Sequence, residues 1–211
     1  MGTTRKLEAD VEQPASAYAM KISLLGSKPA IWRRFCVPAD ITFDRLHDVI
    51  QIVMGWEESH LHCFEINGRK FSESDEDMDV DWMEEAEFVL SDLVPRAGAK
   101  FLYEYDFGDG WEHELLVERI DEVPKGHGAC IQCLDGKRAC PPEDVGGIGG
   151  FEEYLSALEN PKHPEHIEYR EWRGPFDPKA FDLNAVNIEI AKYCRWSRPR
   201  AVSQELFAGH G

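Results

Sequence analysis

Residues 100–120 read KFLYEYDFGDGWEHELLVERI, and this stretch decides the fold. Aromatic side chains alternate with polar ones along its first part, which is typical of a strand buried on one face. Gly108-Asp109-Gly110 predicts a tight turn, and residues 111–120 predict the return strand. The aromatic residues on the buried face are Phe101, Tyr103, Tyr105 and Phe107. The stretch therefore predicts a β-hairpin that supplies part of the core.

The residues before this hairpin predict more strands and one main helix. Alternating apolar residues over 19–25 and 31–37 predict a first hairpin. Apolar residues at helical spacing then predict a helix over 43–54, with Thr42 as its N-cap and Gly55 at its end. Residues 61–66 predict a third strand, which the Asn67-Gly68 pair closes as a hairpin turn.

The residues after Gly150 favour helices over 151–158, 164–172 and 184–193. The predicted fold class is therefore α+β: a mixed or antiparallel sheet of five or six strands, packed on one main helix in a β-grasp-like arrangement, with a helical C-terminal third. We expect a disordered arm over residues 1–16, a single domain over 17–194, and a flexible tail over 195–211.

The composition limits the classes of function. The chain has 211 residues and a formal net charge of −17, which disfavours broad binding to nucleic acid and favours a protein partner. A local basic patch could escape this repulsion, and the three arginines between residues 195 and 200 are the candidate. The sequence has neither a membrane-length apolar run nor the apolar core of a signal peptide. We expect a cytoplasmic protein with reduced cysteines.

Several quoted segments resemble the plasmid pRiA4b ORF-3-like family. They are YEYDFGDGWEHELLVE and LDGKRACPPEDVGGIGGFEEYL, flanked by IWRRFCVPADITFDRLHDVIQIVMGWEESHLHCFEI and FDPKAFDLNAVN. The resemblance covers about residues 19–187. Members of that family are mostly uncharacterised proteins of bacteria and archaea, some of them encoded by plasmids and insertion elements, and the resemblance implies a protein associated with mobile elements. Some members carry a resolvase label. In the family pattern the cysteine of ACPPED is regular, whereas a cysteine matching Cys130 is not.

The cysteines of the signature predict a structural zinc site. Cys130 and Cys133 form a C-x2-C pair, and Cys140 follows after six residues. Three thiolates and one histidine satisfy tetrahedral Zn²⁺, with His113 as the preferred fourth ligand and His127 as the local alternative. Such a site would order residues 127–140. Free cysteines in a reducing compartment are the competing interpretation.

A second group of polar residues suggests a hard-metal or acid–base site. Its candidate catalytic residues are Asp106, Asp109, His113, Glu143 and Asp144. A sharp hairpin turn brings carboxylates and a histidine to one end of a sheet, where they can hold a metal that activates water. The competing interpretation is that the aspartates only accept backbone hydrogen bonds in a tight turn. A resolvase needs a nucleophilic serine beside an arginine cluster, and neither lies beside the signature.

Three other motifs have ordinary structural explanations. His60 and His62 share one face of the predicted third strand, where paired histidines can bind metal but are more often buried hydrogen-bonding groups. The acidic run over 73–87 is typical of a solvated loop. The glycine-rich GGIGG lacks the spacing and the lysine of a phosphate loop.

These patterns leave two functions open. The first is an accessory or binding protein whose signature loop forms a recognition or metal-binding surface. The second is a metal-dependent hydrolase or nuclease that uses the five candidate catalytic residues. The two differ in whether those residues converge on a common point with an open coordination position.

Overall fold

A computed structural model describes residues 16–73, 82–123 and 131–207, with side chains through residue 196. These residues contain one eight-stranded sheet with the order β5-β4-β3-β6-β7-β1-β2-β8, in which only β4 and β5 run parallel. The strands are β1 Ser16–Leu24, β2 Trp32–Pro38, β3 His62–Ile66, β4 Arg69–Ser72, β5 Met83–Glu84, β6 Lys100–Tyr105, β7 Trp111–Glu122 and β8 Gln132–Lys137. The mixed α+β class is confirmed, whereas the predicted number of strands was too low.

Among the described residues, five helices accompany the sheet. They are α1 Phe43–Met54, α2 Leu90–Leu93, α3 Gly147–Glu159, α4 His166–Arg173 and α5 Leu183–Phe207, and a 3₁₀ turn covers Glu85–Glu87. The main helix α1 begins and ends where the sequence predicted, and Gly55 ends it with a φ of 101°. The last helix extends beyond residue 193, where the sequence predicted its end. Among the described residues no helix combines the length and apolarity needed to cross a bilayer.

The core lies between α1 and the sheet. Leu46, Val49, Ile50 and Val53 of the helix are fully buried. The Phe43 ring meets Phe64 of β3 edge-on, with ring centroids 5.1 Å apart. The aromatic residues of β6 are buried as predicted, but Phe107 beyond the strand is 37% exposed. Burial of these large apolar side chains is the main term that stabilises the fold.

Arg33 ties the main helix to the sheet from inside the protein. This β2 residue is 2% exposed. Its Nε donates to Val53 O over 2.7 Å and its Nη2 to Met54 O over 3.2 Å. Its Nη1 donates to Trp32 O and Lys137 O, both over 2.9 Å. The guanidinium therefore satisfies carbonyls at the C-terminus of α1 that have no partner within the helix.

The edge strand β8 corrects one prediction. Residues 127–140 were predicted to be a loop ordered by zinc, but residues 132–137 form a strand that pairs antiparallel with β2. On the other side, Asn187 of α5 accepts from Cys133 N over 3.0 Å and donates to Cys133 O over 2.9 Å. Backbone pairing and this amide hold the strand. The predicted N-terminal arm lies almost wholly outside the described residues.

Candidate functional site

The pairing of β3 with β6 brings His60 next to Asp106. His62 lies opposite Tyr105 in the ladder, and Asp106 N donates to Leu61 O over 2.8 Å. One residue earlier along the chain, His60 therefore reaches the turn that follows β6. Its Nε2 lies 3.6 Å from Asp106 Oδ2. The two histidines therefore have different partners, because His62 contacts the buried carboxylate of Glu85 over 2.9 Å.

Asp106 serves two purposes with its two carboxylate oxygens. Its φ is +54°, a left-handed conformation that aspartate tolerates better than most residues. Oδ1 accepts from Gly108 N over 3.0 Å and from Asp109 N over 3.3 Å, so it organises the hairpin turn. Oδ2 faces His60. Hydrogen bonding within the turn therefore uses only one of the two carboxylate oxygens of this buried side chain.

The segment 139–150 presents Glu143 from the other side. Glu143 is 4% exposed. Its Oε1 accepts from Glu57 N over 2.8 Å and from the Tyr105 hydroxyl over 3.1 Å. Burial raises the pKa of Tyr105, so its phenol stays protonated and donates to Glu143. These contacts fix the carboxyl group and leave Oε2 directed at His60, 3.6 Å from Nε2.

Three carboxylates thus surround one imidazole nitrogen. Besides Asp106 and Glu143, Asp144 Oδ1 lies 3.2 Å from His60 Nε2, and the Asp144 side chain is 69% exposed. Both His60 Nε2 and Glu143 Oε2 are buried without a hydrogen-bond partner. Buried polar atoms are nearly always satisfied, so two unsatisfied atoms that face each other are the unusual feature of this site.

The spacing of these atoms fits metal ligands. The ligand atoms of His60, Asp106 and Glu143 all lie within 4.8 Å of one another. Two ligands about 2.0–2.2 Å from Zn²⁺ at the tetrahedral angle lie about 3.3–3.6 Å apart. The separations of 3.2–3.6 Å around His60 Nε2 are close to this range. A separation of 3.6 Å is too long for a hydrogen bond.

Asp109 supports the site without joining it. Its Oδ2 accepts from Gly146 N over 3.0 Å. A Cβ at Gly147 would overlap Asp109 O, so the hairpin turn and the glycine-rich segment are in direct contact. The sequence placed Asp109 with the catalytic candidates, whereas the structure gives it the backbone-capping role of the competing interpretation. It holds the loop that carries Glu143 and Asp144.

His113 lies in the core and not with the carboxylates. It is 0% exposed. Trp56 Nε1 lies 3.4 Å from its Nε2, and its Nδ1 lies 3.3 Å from Tyr103 O. Burial lowers the pKa of His113 to about 4. Both ring nitrogens therefore have partners, and the neutral imidazole acts as a hydrogen-bonding core residue.

The zinc prediction remains a prediction, because Cys130 and His127 lie outside the described residues. Within the described part of the chain, Cys133, Cys140 and His113 do not bring their ligand atoms within 4.8 Å of one another. Burial raises the pKa of both thiols, although Arg33 opposes the effect. Neutral thiols are favoured, whereas zinc binds thiolates.

A cleft opens beside the carboxylates. It holds about 270 Å³ and is lined by Asp144, Val145, Glu168, Tyr169 and Trp172. Helix α4 forms its other wall and is attached to the site by Arg173, whose Nη2 donates to Glu143 O over 3.3 Å. The one strongly exposed ligand candidate, Asp144, therefore faces a space that a molecule can enter.

His60 is the site residue that sequence reasoning left out. The sequence grouped it with His62 on one strand face and did not connect it with Asp106. The signal that points to His60 is the pairing register of the third strand with the strand over residues 100–105. If residues 61–66 pair antiparallel with residues 100–105, the residues just before the first strand must meet the turn after the second.

Gly150→Ala is expected to lower the free energy of unfolding by about 2–3 kcal/mol. A Cβ at this position would overlap Val145 O, within the loop that carries the site. Gly149 is the matched control, because a Cβ there meets nothing within 4 Å. Gly149→Ala should be neutral or stabilising by up to about 1 kcal/mol, as helix propensity dictates. Urea unfolding measures the free energy of unfolding of both variants. Equal stability of the two would contradict the close approach of Gly150 to Val145 O.

Comparison with known proteins identifies the family. The family described as "Plasmid pRiA4b ORF-3-like protein" matches residues 16–185. The uncharacterized protein y4hQ of Sinorhizobium fredii is 37% identical over 191 residues, which cover 87% of this chain and 97% of that protein. The crystal structure of the protein of unknown function MM3350 from Methanosarcina mazei Go1 is similar with a TM-score of 0.72 and 37% identity, covering 82% of this chain and 98% of that one. The chain therefore belongs to the plasmid pRiA4b ORF-3-like family.

Proposed function

We propose that this protein binds one divalent cation through His60, Asp106 and Glu143, with the exposed Asp144 beside the ion. One observation carries the proposal: His60 Nε2 and Glu143 Oε2 are buried, unsatisfied and 3.6 Å apart. An imidazole with carboxylates is a suitable ligand set for Zn²⁺ or Mn²⁺. A cation would satisfy both buried atoms and offset the repulsion between the carboxylates.

The bound cation would fix the signature loop as a recognition surface. Segment 139–150 reaches the rest of the protein through Glu143, Arg173 and the Asp109–Gly146 contact. An ion that links this loop to Asp106 and His60 would hold Asp144 in one position beside the cleft. We assign the protein an accessory role on this basis, with a protein partner favoured over nucleic acid at a loop that carries so much negative charge.

Calorimetric titration of metal-free protein with Zn²⁺ and Mn²⁺ tests the proposal. We expect one ion per chain, bound at least about tenfold more weakly by Glu143→Gln, because the loss of one ligand also leaves its neighbours less well held. Glu159→Gln is the matched control, since Glu159 is exposed at the end of α3 and belongs to neither group of possible metal ligands, whereas Glu153 lies in the second group with His163.

Two outcomes separate this site from the cysteine site. Zinc binding that survives Glu143→Gln but is lost in Cys133→Ser would assign the metal to the signature cysteines and overturn the proposal. Zinc binding that is lost in Glu143→Gln but survives Cys133→Ser would support the proposal. A protein that binds neither ion would also overturn it.

Metal-dependent hydrolysis is the second candidate function. The observation that favours it is the exposed Asp144 beside a cleft of about 270 Å³, which leaves room for a substrate next to the proposed ion. The cation would supply an activated water, and Asp144 would accept a proton from it. Turnover of nitrophenyl phosphate and carboxylate esters in Mn²⁺ or Zn²⁺ tests this. Activity that Glu143→Gln abolishes and Glu159→Gln preserves would favour the enzyme over the recognition surface.

A further inference from the structure

A second concave surface shares no residue with the site around His60. It encloses about 610 Å³ and combines aromatic and cationic side chains. We call it the basic groove, and it is lined by Pro29, Ala30, Trp32, Gly136, Lys137, Arg138, Lys179 and Phe181. Lys137 ends strand β8, Arg138 follows it, and Lys179 lies in the segment before α5. Its size falls within the roughly 300–1,000 Å³ of small-molecule sites.

The charge of the groove is opposite to that of the whole protein. The chain has 40 acidic and 23 basic residues, yet the lining contains three cations and no carboxylate. Within the part of the chain that the structure describes, the charged side chains of Lys137, Arg138 and Lys179 form no ion pair with a carboxylate, although the backbone N–H of Lys179 donates to Asp177 Oδ1. Cations on an acidic protein that stay free of carboxylates form a local positive field.

The floor of the groove adds a fourth positive charge. Arg33 lies beneath it, and its guanidinium stacks on the Phe181 ring, 4.4 Å from the centroid. This guanidinium donates to backbone carbonyls and has no carboxylate partner in the described residues. Its charge is therefore not cancelled locally. A buried charge is also screened less by salt than an exposed one.

The aromatic side chains of the groove are held in place. A Cβ at Gly136 would lie 2.6 Å from Phe181 Cζ and 2.7 Å from Arg33 Cδ, so the absence of a side chain lets the ring lie against β8. Trp32 is half-buried, with Lys21 Nζ 5.4 Å and Arg34 Cζ 5.0 Å from its ring centroid. Two packed aromatic rings beside three cations form a surface for a flat ring that carries negative charge.

We propose that the basic groove binds a nucleoside phosphate. Lys137, Arg138 and Lys179 would hold the phosphates, and Trp32 and Phe181 would contact the base. The same chemistry occurs in a free nucleotide and in one nucleotide of a single strand. The free nucleotide is favoured, because a longer strand would leave the groove and meet the surface of a protein with a net charge of −17.

Calorimetric titration with ATP tests the proposal directly. We expect one ATP per chain, and at least about tenfold weaker binding after the double substitution Lys137→Gln and Lys179→Gln, because two charge-assisted contacts are lost. Lys162→Gln with Lys192→Gln removes the same charge away from the groove and should leave the affinity unchanged. Trp32→Leu should also weaken ATP binding, whereas it should leave binding of inorganic phosphate unchanged.

Competition experiments distinguish a free nucleotide from one nucleotide of a single strand, and they can overturn the inference. A ten-nucleotide oligothymidylate that displaces ATP and binds more tightly would assign the groove to single strands, with the same nucleoside-phosphate chemistry. Inorganic phosphate that competes as well as ATP would reduce the groove to a general anion site and overturn the proposal. Absence of ATP binding, or equal loss in the control double variant, would overturn it as well. None of these readouts depends on the cation site around His60.

Discussion

Acidification from pH 7 to pH 4 is expected to lower the free energy of unfolding by on the order of 5 kcal/mol through two buried histidines. Burial lowers the pKa of His113 to about 4, and burial followed by the electrostatic effect of His62 lowers the pKa of His47 to about 3. In the unfolded chain both would titrate near 6.5. Between pH 6.5 and pH 4 the unfolded chain therefore binds more protons, and stability falls as the pH falls.

The hydrogen bonds of His47 also favour its neutral form. Its Nδ1 lies 2.8 Å from the Tyr103 hydroxyl, which also accepts from Gln51 Nε2 over 2.9 Å. The hydroxyl proton is thus free to go to Nδ1, which accepts it only when that nitrogen is unprotonated. Protonation would put a proton on the accepting nitrogen and a charge in the core.

Urea unfolding at several pH values measures this effect. His47→Asn keeps an acceptor oxygen for the Tyr103 hydroxyl but has no proton to gain, so stability should fall less steeply below pH 6.5. His163→Asn is the control, because His163 lies outside the core, 3.0 Å from Glu153. If His47→Asn and the parent protein lose stability equally between pH 6.5 and pH 4, the neutral buried histidine is not the cause.

Replacing Arg33 by methionine is expected to lower the free energy of unfolding by about 3–5 kcal/mol. Methionine fills much of the volume but leaves the carbonyls of Val53, Met54 and Lys137 without their donor. For a chain of this size, each kcal/mol lowers the melting temperature by roughly 2–4 °C. The expected decrease is therefore on the order of 10 °C.

Arg34 provides a control one residue away. It points to the opposite face of β2, its side chain is 41% exposed, and it pairs with Glu118 over 2.9 Å. A surface ion pair contributes about 0–1 kcal/mol, so Arg34→Met should have a small effect. Differential scanning calorimetry of both variants measures the contrast. Similar melting temperatures would show that the buried guanidinium does not organise the junction of α1 with the sheet.

Local signals explain which parts of the fold the sequence predicted. Helix α1 carries its apolar period and its terminating Gly55 within 13 residues, so no distant contact is needed to define it. Strand β8 was missed because QCLDGK lacks alternation and its partners are remote: β2 on one side and Asn187 on the other. Pairing between distant segments leaves little trace in either segment alone.

The residues of the candidate site also fall into those that local sequence predicts correctly and those that it does not. Asp106, Glu143 and Asp144 were chosen from their glycine- and proline-rich surroundings, and the structure brings all three around His60. His113 was chosen for its nearness in sequence to Asp109, but strand alternation turns it into the core. Spacing along the chain thus identified the loops that carry polar groups. Only the register between strands decides which of those groups meet.

The amide of Asn187 has a consequence for self-association. An exposed edge strand offers its unpaired N–H and C=O groups to any other chain in an extended conformation, which is a route to aggregation. At Cys133, Asn187 occupies one such donor and one such acceptor, so the edge at β8 resembles an already paired strand. The opposite edge ends in β5, which has two residues and includes Glu84. Short and charged edges resist strand addition, so growth of the sheet into polymers is opposed at both ends.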